Sequence, residues 1–426
     1  MSVKDVILTI SLMLGAGLVS QLVADYLRAP RMLLLLAAGT LLGPSVAGAV
    51  DVPLDSIGAQ LLLTLGVSFI LFHGGLQLST KILSGVAIGL GMLVIPGVIL
   101  TAVITGLVAA AAFGLPLSSG LMIGAVLAPT DPAILIPLFE KIRLRPKVSQ
   151  TIIAESALND PTGAVLALAL AGVVLSGSPS MTAPLQSFVV DLVISAALGI
   201  VFGVVLSAAV SSRRAGIWSE SSAIAVMAVI SAGYFSIDSA GGSGYLGAFL
   251  AGLIVGNMDR LGLAMHSQHE TEMRTLVAVV ADVMVIFVFI TLGANLPWQG
   301  IADHIAPALA VVAALILVAR PLAVLACLLP DRRGRWSREE IIFLAWTRET
   351  GVVPAALAGI VVGLHVPNAG LVVITVALAI VVTLAVQATT KRWLARRLQL
   401  LEVLIPPSDG PELISDAATA VGVSAR

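Results

Sequence analysis

Two short polar stretches interrupt a chain that is otherwise almost continuously apolar. The first reads Gly124-Ala-Val-Leu-Ala-Pro-Thr-Asp-Pro-Ala133 and the second Glu155-Ser-Ala-Leu-Asn-Asp-Pro161. Pro129 and Pro132 lack backbone donors and clash with the preceding turn, so the pair predicts a broken helix. Thr130 and Asp131 occupy that break. Freed carbonyls, a hydroxyl and a carboxylate are hard oxygen ligands for a small cation. In the second stretch Ser156 and Asp160 are four residues apart and share a helix face, as do Glu155 and Asn159 on a neighbouring face. Two acids, Asp131 and Asp160, on adjacent helices form a site that must hold a counter-charge, and a proton or a monovalent cation would serve. Asp131 could also cap the second half-helix, a role compatible with ligation. The plainer reading of Asp160 is a structural carboxylate bonded to its neighbours.

A third polar stretch reads Trp346-Thr-Arg-Glu-Thr-Gly-Val-Val-Pro354. At ~1.5 Å per residue, Asp160 lies roughly 18 Å into its helix, near mid-membrane. Arg348 and Glu155 lie at similar depths, and an unpaired arginine there is costly. The expectation is a structural ion pair between Glu155 and Arg348, with a second between Asp282 and Arg320. His73, alone in an apolar run, is either a packing residue or part of the proton or cation access route. Glu349 either snorkels or joins the crossing of the two broken helices.

These residues need elements that hold them in a bilayer. Of 426 residues, 58% are hydrophobic and 11% charged, and mean hydropathy is +1.07. Soluble domains carry about 25% charged residues, so a soluble enzyme is excluded, as is a disordered chain. A net charge of −1 gives no field for nucleic acid. One cysteine, Cys327, and five histidines do not supply a structural zinc site. No cofactor motif appears. Apolar runs of about 20 residues span a membrane as helices. They fall at 3–24, 31–50, 57–77, 83–113, 118–140, 148–175, 185–211, 219–237, 243–258, 273–296, 302–329, 338–364 and 367–390, hereafter segments one to thirteen. The fold class is therefore an all-α polytopic membrane protein. Alternate breaks and the C-terminal stretch after segment thirteen, which counts Lys391 with the tail, hold twenty of the 23 Lys and Arg residues. By the positive-inside rule the N-terminus is outside and the C-terminus cytoplasmic, in the inner (cell) membrane. No signal peptide is apparent. Residues 1–397 form a single transmembrane domain, and 398–426 form a cytoplasmic tail too short for a regulatory nucleotide-binding domain.

An internal repeat is also visible. Gly75-Leu-Gln-Leu78 matches Gly293-Ala-Asn-Leu296 at an offset of 218, and Thr130 matches Arg348 at the same offset. Ala38-Gly39 with Gly43 matches Ala251-Gly252 with Gly256 at an offset of 213. Seven segments separate the copies, so they have opposite topology, as in transporters built from inverted repeats. The Gly-x-x-x-Gly pairs are helix-packing surfaces.

Ala128-Pro-Thr-Asp-Pro132, Glu155-Ser-x-x-Asn-Asp160 and Arg348 together resemble the first cation:proton antiporter family, whose members exchange sodium or potassium for protons. The resemblance runs through segment thirteen. It implies a thirteen-helix homodimer with a dimerisation half and a mobile core half. It further implies cation binding by Asp160, Asp131, Ser156 and Thr130, with Asn159 marking an electroneutral branch and Glu155 with Arg348 matching the core ion pair. Two departures stand out: His73 follows Phe72 where many relatives have an acid, and Glu349-Thr-Gly351 follows Arg348 where many have Arg-Gly.

The resulting expectation is a secondary antiporter that exchanges Na⁺, Li⁺ or K⁺ for H⁺ by alternating access. It is not an enzyme and has no cofactor; its partners are the ions, the lipid bilayer and a second copy of the chain. Asp160 and Asp131 hold the monovalent metal ion, Thr130, Ser156 and Asn159 complete the cation- and proton-binding set, and the physiological role is pH homeostasis. A cation channel would place a charged or carbonyl ring in a symmetric pore, whereas these acids form one asymmetric constellation. A cation-coupled symporter for an organic acid would aim half-helix N-termini at a substrate carboxylate, which the acids oppose. No G-x-x-x-x-G-K-[ST] loop is present for primary pumping.

Overall fold

The computed structural model describes residues 3–27, 29–79, 88–131, 144–177, 182–212 and 216–401. Every regular element among them is helical. Lipid offers backbone groups no partners, and a helix satisfies them within one segment. In chain order the helices are α1 (Val3–Leu27), α2 (Arg31–Leu42), α3 (Ile57–Gln77), α4 (Ile88–Phe113), α5 (Leu117–Leu127), α6 (Pro146–Ser176) and α7 (Thr182–Val210). There follow α8 (Ser222–Ser239), α9 (Gly244–Gly256), α10 (Ser267–Ala294), α11 (Gly300–Leu328), α12 (Arg338–Trp346), α13 (Val352–Gly363) and α14 (Ala369–Arg397). Among the described residues nine of these are long and apolar enough to cross a membrane, and α2, α5, α9 and α13 are shorter apolar helices.

Among the described residues the long and short apolar helices fall within the apolar segments, with differences that have local causes. Segment two ends early, because Gly43 caps α2 and Pro44 follows. Segment five stops at Leu127, just before Pro129; its second half, with Pro132, lies outside the described residues. Segment twelve divides into α12 and α13 around 347–351. Segment thirteen continues to Arg397, so Lys391, which the topology count gives to the tail, is inside the helix and fully buried. Lys81, Lys141, Arg143, Arg213, Arg214 and nearly all of the tail lie outside the described residues. Three helices widen into π turns: α4 at Leu93–Gly97 around Pro96, α11 at Leu315–Ala319 and α14 at Thr383–Ala388. In α11 the widened turn directly precedes Arg320-Pro321, where the proline removes a donor from the helix ladder.

The repeat explains the packing. α2 lies against α10, and α9 against α3. At the first seam a Cβ on Gly39 would overlap the carbonyl of Ile290, and one on Gly293 would overlap that of Leu36. At the second, a Cβ on Gly252 would overlap the carbonyl of Phe72, and one on Gly75 that of Phe249. Each copy's Ala-Gly-x-x-x-Gly helix therefore docks on the other copy's Gly-containing helix, an exchange that knits the two repeats together. Small residues permit this backbone approach in a membrane, where no hydrophobic driving force separates helix from lipid.

Candidate functional site

The C-terminal end of α5 and the residues after it meet the break between α12 and α13. Two charged side chains serve the broken ends. Arg348 donates through Nη2 to the carbonyls of Leu127 and Ala128, the latter at 2.8 Å, at the C-terminal end of α5. Asp131 accepts at Oδ2 from the backbone N–H of Val352, the first residue of α13, at 2.9 Å. A cation thus meets the negative end of one half-helix and an anion the positive end of the other, each favourable by up to ~2 kcal/mol when partly buried. Backbone joins the two breaks directly, Asp131 N–H donating to the Glu349 carbonyl at 3.1 Å. Asp131 and Glu349 share the repeat offset of 218, so this bond lies on the line relating the copies.

α6 passes the crossing with its polar face inward. Asn159 grips Thr130 twice: its Nδ2 donates to Thr130 Oγ1 at 2.9 Å, and its Oδ1 accepts from Thr130 N–H at 3.1 Å. Accepting there leaves the Thr130 hydroxyl proton free for Ser156 Oγ, 2.8 Å away. A lone pair on Ser156 remains for a ligand. Asn159, expected among the ion ligands, is thereby turned to Thr130 and positions it. One turn beyond Ser156 is Asp160, 4% exposed, within coulombic reach of Asp131. Its Oδ1 is buried with no hydrogen-bond partner among the described residues. Pro161 follows Asp160 inside the helix and cannot donate to the Ala157 carbonyl. Asp131, Thr130, Ser156 and Asp160 are thereby gathered in buried surroundings.

Gly351 lets Asp131 stand there, because a Cβ at 351 would overlap the Asp131 carboxylate. Gly351→Ala is expected to push Asp131 off the α13 N-terminus and to raise the cation concentration for half-maximal exchange on the order of tenfold. A cation titration of the reconstituted variant checks this; an unchanged half-maximum would remove Asp131 from the site.

Both expected ion pairs are corrected. Glu155 is held by Arg320, not Arg348: the guanidinium of Arg320 grips both carboxylate oxygens, Nη2 to Oε2 at 2.9 Å, and its Nε donates to the Leu344 carbonyl. This fork places Arg320 between α6 and α12, while Arg348 is occupied with the α5 carbonyls. Asp282 is 58% exposed and pairs with Arg31 at 2.8 Å. The α2–α10 glycine seam brings the first residue of α2 beside Asp282, far from Arg320. His73 accepts from Gln77 Nε2 at 2.9 Å and lies within coulombic reach of Arg274 and Asp282. Gln77 and Arg274 also line a cleft of about 400 Å³ at the ends of α3 and α9 and the start of α10.

The residues missed from the sequence are on α14. Thr383, Gln387 and Lys391 are four apart and fully buried, and all three meet the break in segment twelve. Thr383 Oγ1 accepts from Thr350 N–H at 3.2 Å, Gln387 Nε2 donates to the Trp346 carbonyl at 2.7 Å, and Lys391 forms an ion pair with Glu349. The i, i+4, i+8 polar stripe was the available signal.

Over residues 9–397 the chain matches the family described as sodium/hydrogen exchanger, transmembrane. It is 28% identical over 408 residues to the K(+)/H(+) antiporter NhaP of Alkalimonas amylolytica, covering 95% of this chain and 68% of that protein. It is 30% identical over 424 residues to the K(+)/H(+) antiporter NhaP2 of Shewanella sp. (strain ANA-3), covering 96% and 69%. Among solved structures, the sodium proton antiporter MjNhaP1 from Methanocaldococcus jannaschii at pH 8 superposes with a TM-score of 0.78 at 25% identity, covering 92% of this chain and 99% of that one.

Proposed function

Because this chain belongs to the sodium/hydrogen exchanger family, we propose that it exchanges a monovalent cation, Na⁺, Li⁺ or K⁺, for a proton across the cell membrane. It is a multi-pass membrane protein whose work is transport. The relatives that bear on the substrate are named as potassium/proton and sodium/proton antiporters.

The observation that carries the reading is the buried Asp160 oxygen without a hydrogen-bond partner among the described residues. A buried carboxylate with an unsatisfied oxygen is costly, and a proton or a bare cation relieves that cost. One ligand leaves as the other enters, so competition at Asp160 gives exchange. Asp131, Ser156 and Thr130 supply further oxygens, and Asn159 holds Thr130 in place. Asp131, Thr130, Ser156 and Asp160 are all buried, so loading from either side requires the core helices to move relative to their neighbours. The cleft beside Gln77, with His73 one helical turn away, serves as the cytoplasmic approach. The N-terminus lies outside and the C-terminus in the cytoplasm, and two chains assemble as a homodimer.

The test is proton flux in proteoliposomes driven by Na⁺, Li⁺ and K⁺ gradients. At least one cation should dissipate a pH gradient, at a rate insensitive to membrane potential. A passive current without a countered cation would indicate a channel instead, and silence with all three would end the proposal.

A further inference from the structure

Nine charged side chains are buried among the described residues. Two lie in or next to the 329–337 loop: Asp331 accepts from Gly334 N–H and the Trp336 ring, and Glu340 pairs with Lys147. The rest gather at the crossing as four acids, Asp131, Asp160, Glu155 and Glu349, and three bases, Arg320, Arg348 and Lys391. They form one electrostatic unit. Arg348 lies within coulombic reach of Arg320, Glu155 and Glu349, and Lys391 within reach of Glu349 and Arg320. With both aspartates ionised the unit carries one negative charge, which a single proton or monovalent cation neutralises. Glu349 and Lys391 are both 0% exposed. Their pair sums to zero wherever its proton resides, so it is silent in this balance only while both members are present.

We propose that the Glu349–Lys391 pair is a specificity-determining charge lock: it holds the crossing at one unit of negative charge and so sets both its cation affinity and its single-ion occupancy. The pair is well placed for this. The Glu349 carbonyl accepts the Asp131 N–H, and the adjacent Arg348 caps α5. Lys391 belongs to the α14 stripe whose Thr383 and Gln387 bond the same break. A unit charge acting across ~10 Å of protein at an effective dielectric near ~20 changes ion affinity by roughly tenfold or more.

The inference rests on the antiport reading, and the experiment separates the two. KM for the transported cation, corrected for proton competition, is measured in proteoliposomes over a pH series that starts low enough to keep Lys391 protonated in the variant that lacks Glu349. Glu349→Gln leaves Lys391 unbalanced and is expected to raise KM about tenfold, whereas Lys391→Met leaves Glu349 unbalanced and is expected to lower it about tenfold. The pH at which protons begin to compete should move down in the first variant and up in the second. In the double variant E349Q/K391M the charge is restored, and KM is expected within about threefold of the starting protein. A structural role alone would move both single variants in the same direction, or leave the double variant impaired; either result overturns the charge lock. Should the single variants fail to fold, the exchanged pair E349K/K391E carries the test: KM within about threefold upholds the lock, and a larger change overturns it. Absence of cation-dependent proton flux in the unaltered protein would overturn the antiport reading itself.

Discussion

Asp160→Asn is expected to reduce cation-driven proton flux by at least about a hundredfold, equivalent to roughly 2.7 kcal/mol or more of lost ion stabilisation. Asparagine matches aspartate in shape but neither takes up a proton nor offers a full negative charge. Asp131 does not replace it, since one of its oxygens is committed to Val352 N–H at the start of α13. The substitution removes a carboxylate that is 4% exposed and whose Oδ1 is unsatisfied. The variant should therefore fold at least as stably as the parent, because an isolated buried charge opposes folding. Flux in proteoliposomes and thermal melting of the purified protein read the two effects separately. Lost flux with retained stability is the expected pattern. Retained flux would mean that the ion is carried elsewhere.

The second large effect is on stability. Arg320→Met leaves Glu155 buried without its fork of hydrogen bonds, and breaking a buried ion pair typically costs about 3–5 kcal/mol. Arg348→Met removes a donor from two carbonyls without stranding a carboxylate, a loss of ~1–3 kcal/mol. The ordering matters: Arg320→Met should be the more damaging in expression yield and melting temperature. Replacing both partners, as in Glu155→Leu with Arg320→Leu, should recover most of the loss, because well-packed apolar substitutes for a buried pair are often neutral. The reverse ordering, with Arg348→Met the more damaging, would restore the Glu155–Arg348 pairing expected from depth alone.

That mispairing shows where the sequence stops being informative. Composition and proline spacing locate the breaks at Thr130-Asp131 and Arg348-Glu349, and the four-residue spacing puts Ser156 and Asp160 on one face. Glycine pairs at a near-constant offset reveal the inverted repeat, and the structure places those glycines in the two interlocking seams. Partner choice was not legible, because counting residues along a helix gives depth and not direction. In α11 the π turn at Leu315–Ala319 inserts a residue ahead of Arg320, and each added residue rotates the later side chains by about 100°. More decisively, α11 packs on α4 and α12 and, among the described residues, has no substantial packing against α10, so the guanidinium meets Glu155 and Asp282 is out of its reach. Lys391 was hidden for another reason: a lysine near the end of a span reads as a loop charge under the positive-inside rule. The buried stripe with Thr383 and Gln387 identifies it instead as a side chain facing the crossing.

The break in segment twelve is accordingly a constructed element. Its flanking groups are met by Thr383, Gln387 and Lys391 from α14 and by Asp131 from the other half-helix. Gly351 keeps the space in which the Asp131 carboxylate sits. Such satisfaction is what permits irregular backbone at membrane depth. It also means that α14, which carries none of the residues first associated with transport, governs the geometry of those that do.

Competition between a proton and a cation at Asp160 is tested most directly by proton release on cation binding to the purified protein. In weakly buffered solution, at a pH where Asp160 is protonated before binding, addition of the transported cation should release about one proton per chain. Asp160→Asn should release none. Saturable cation binding to the unaltered protein with no proton release at any pH would contradict a shared site and, with it, this account of exchange.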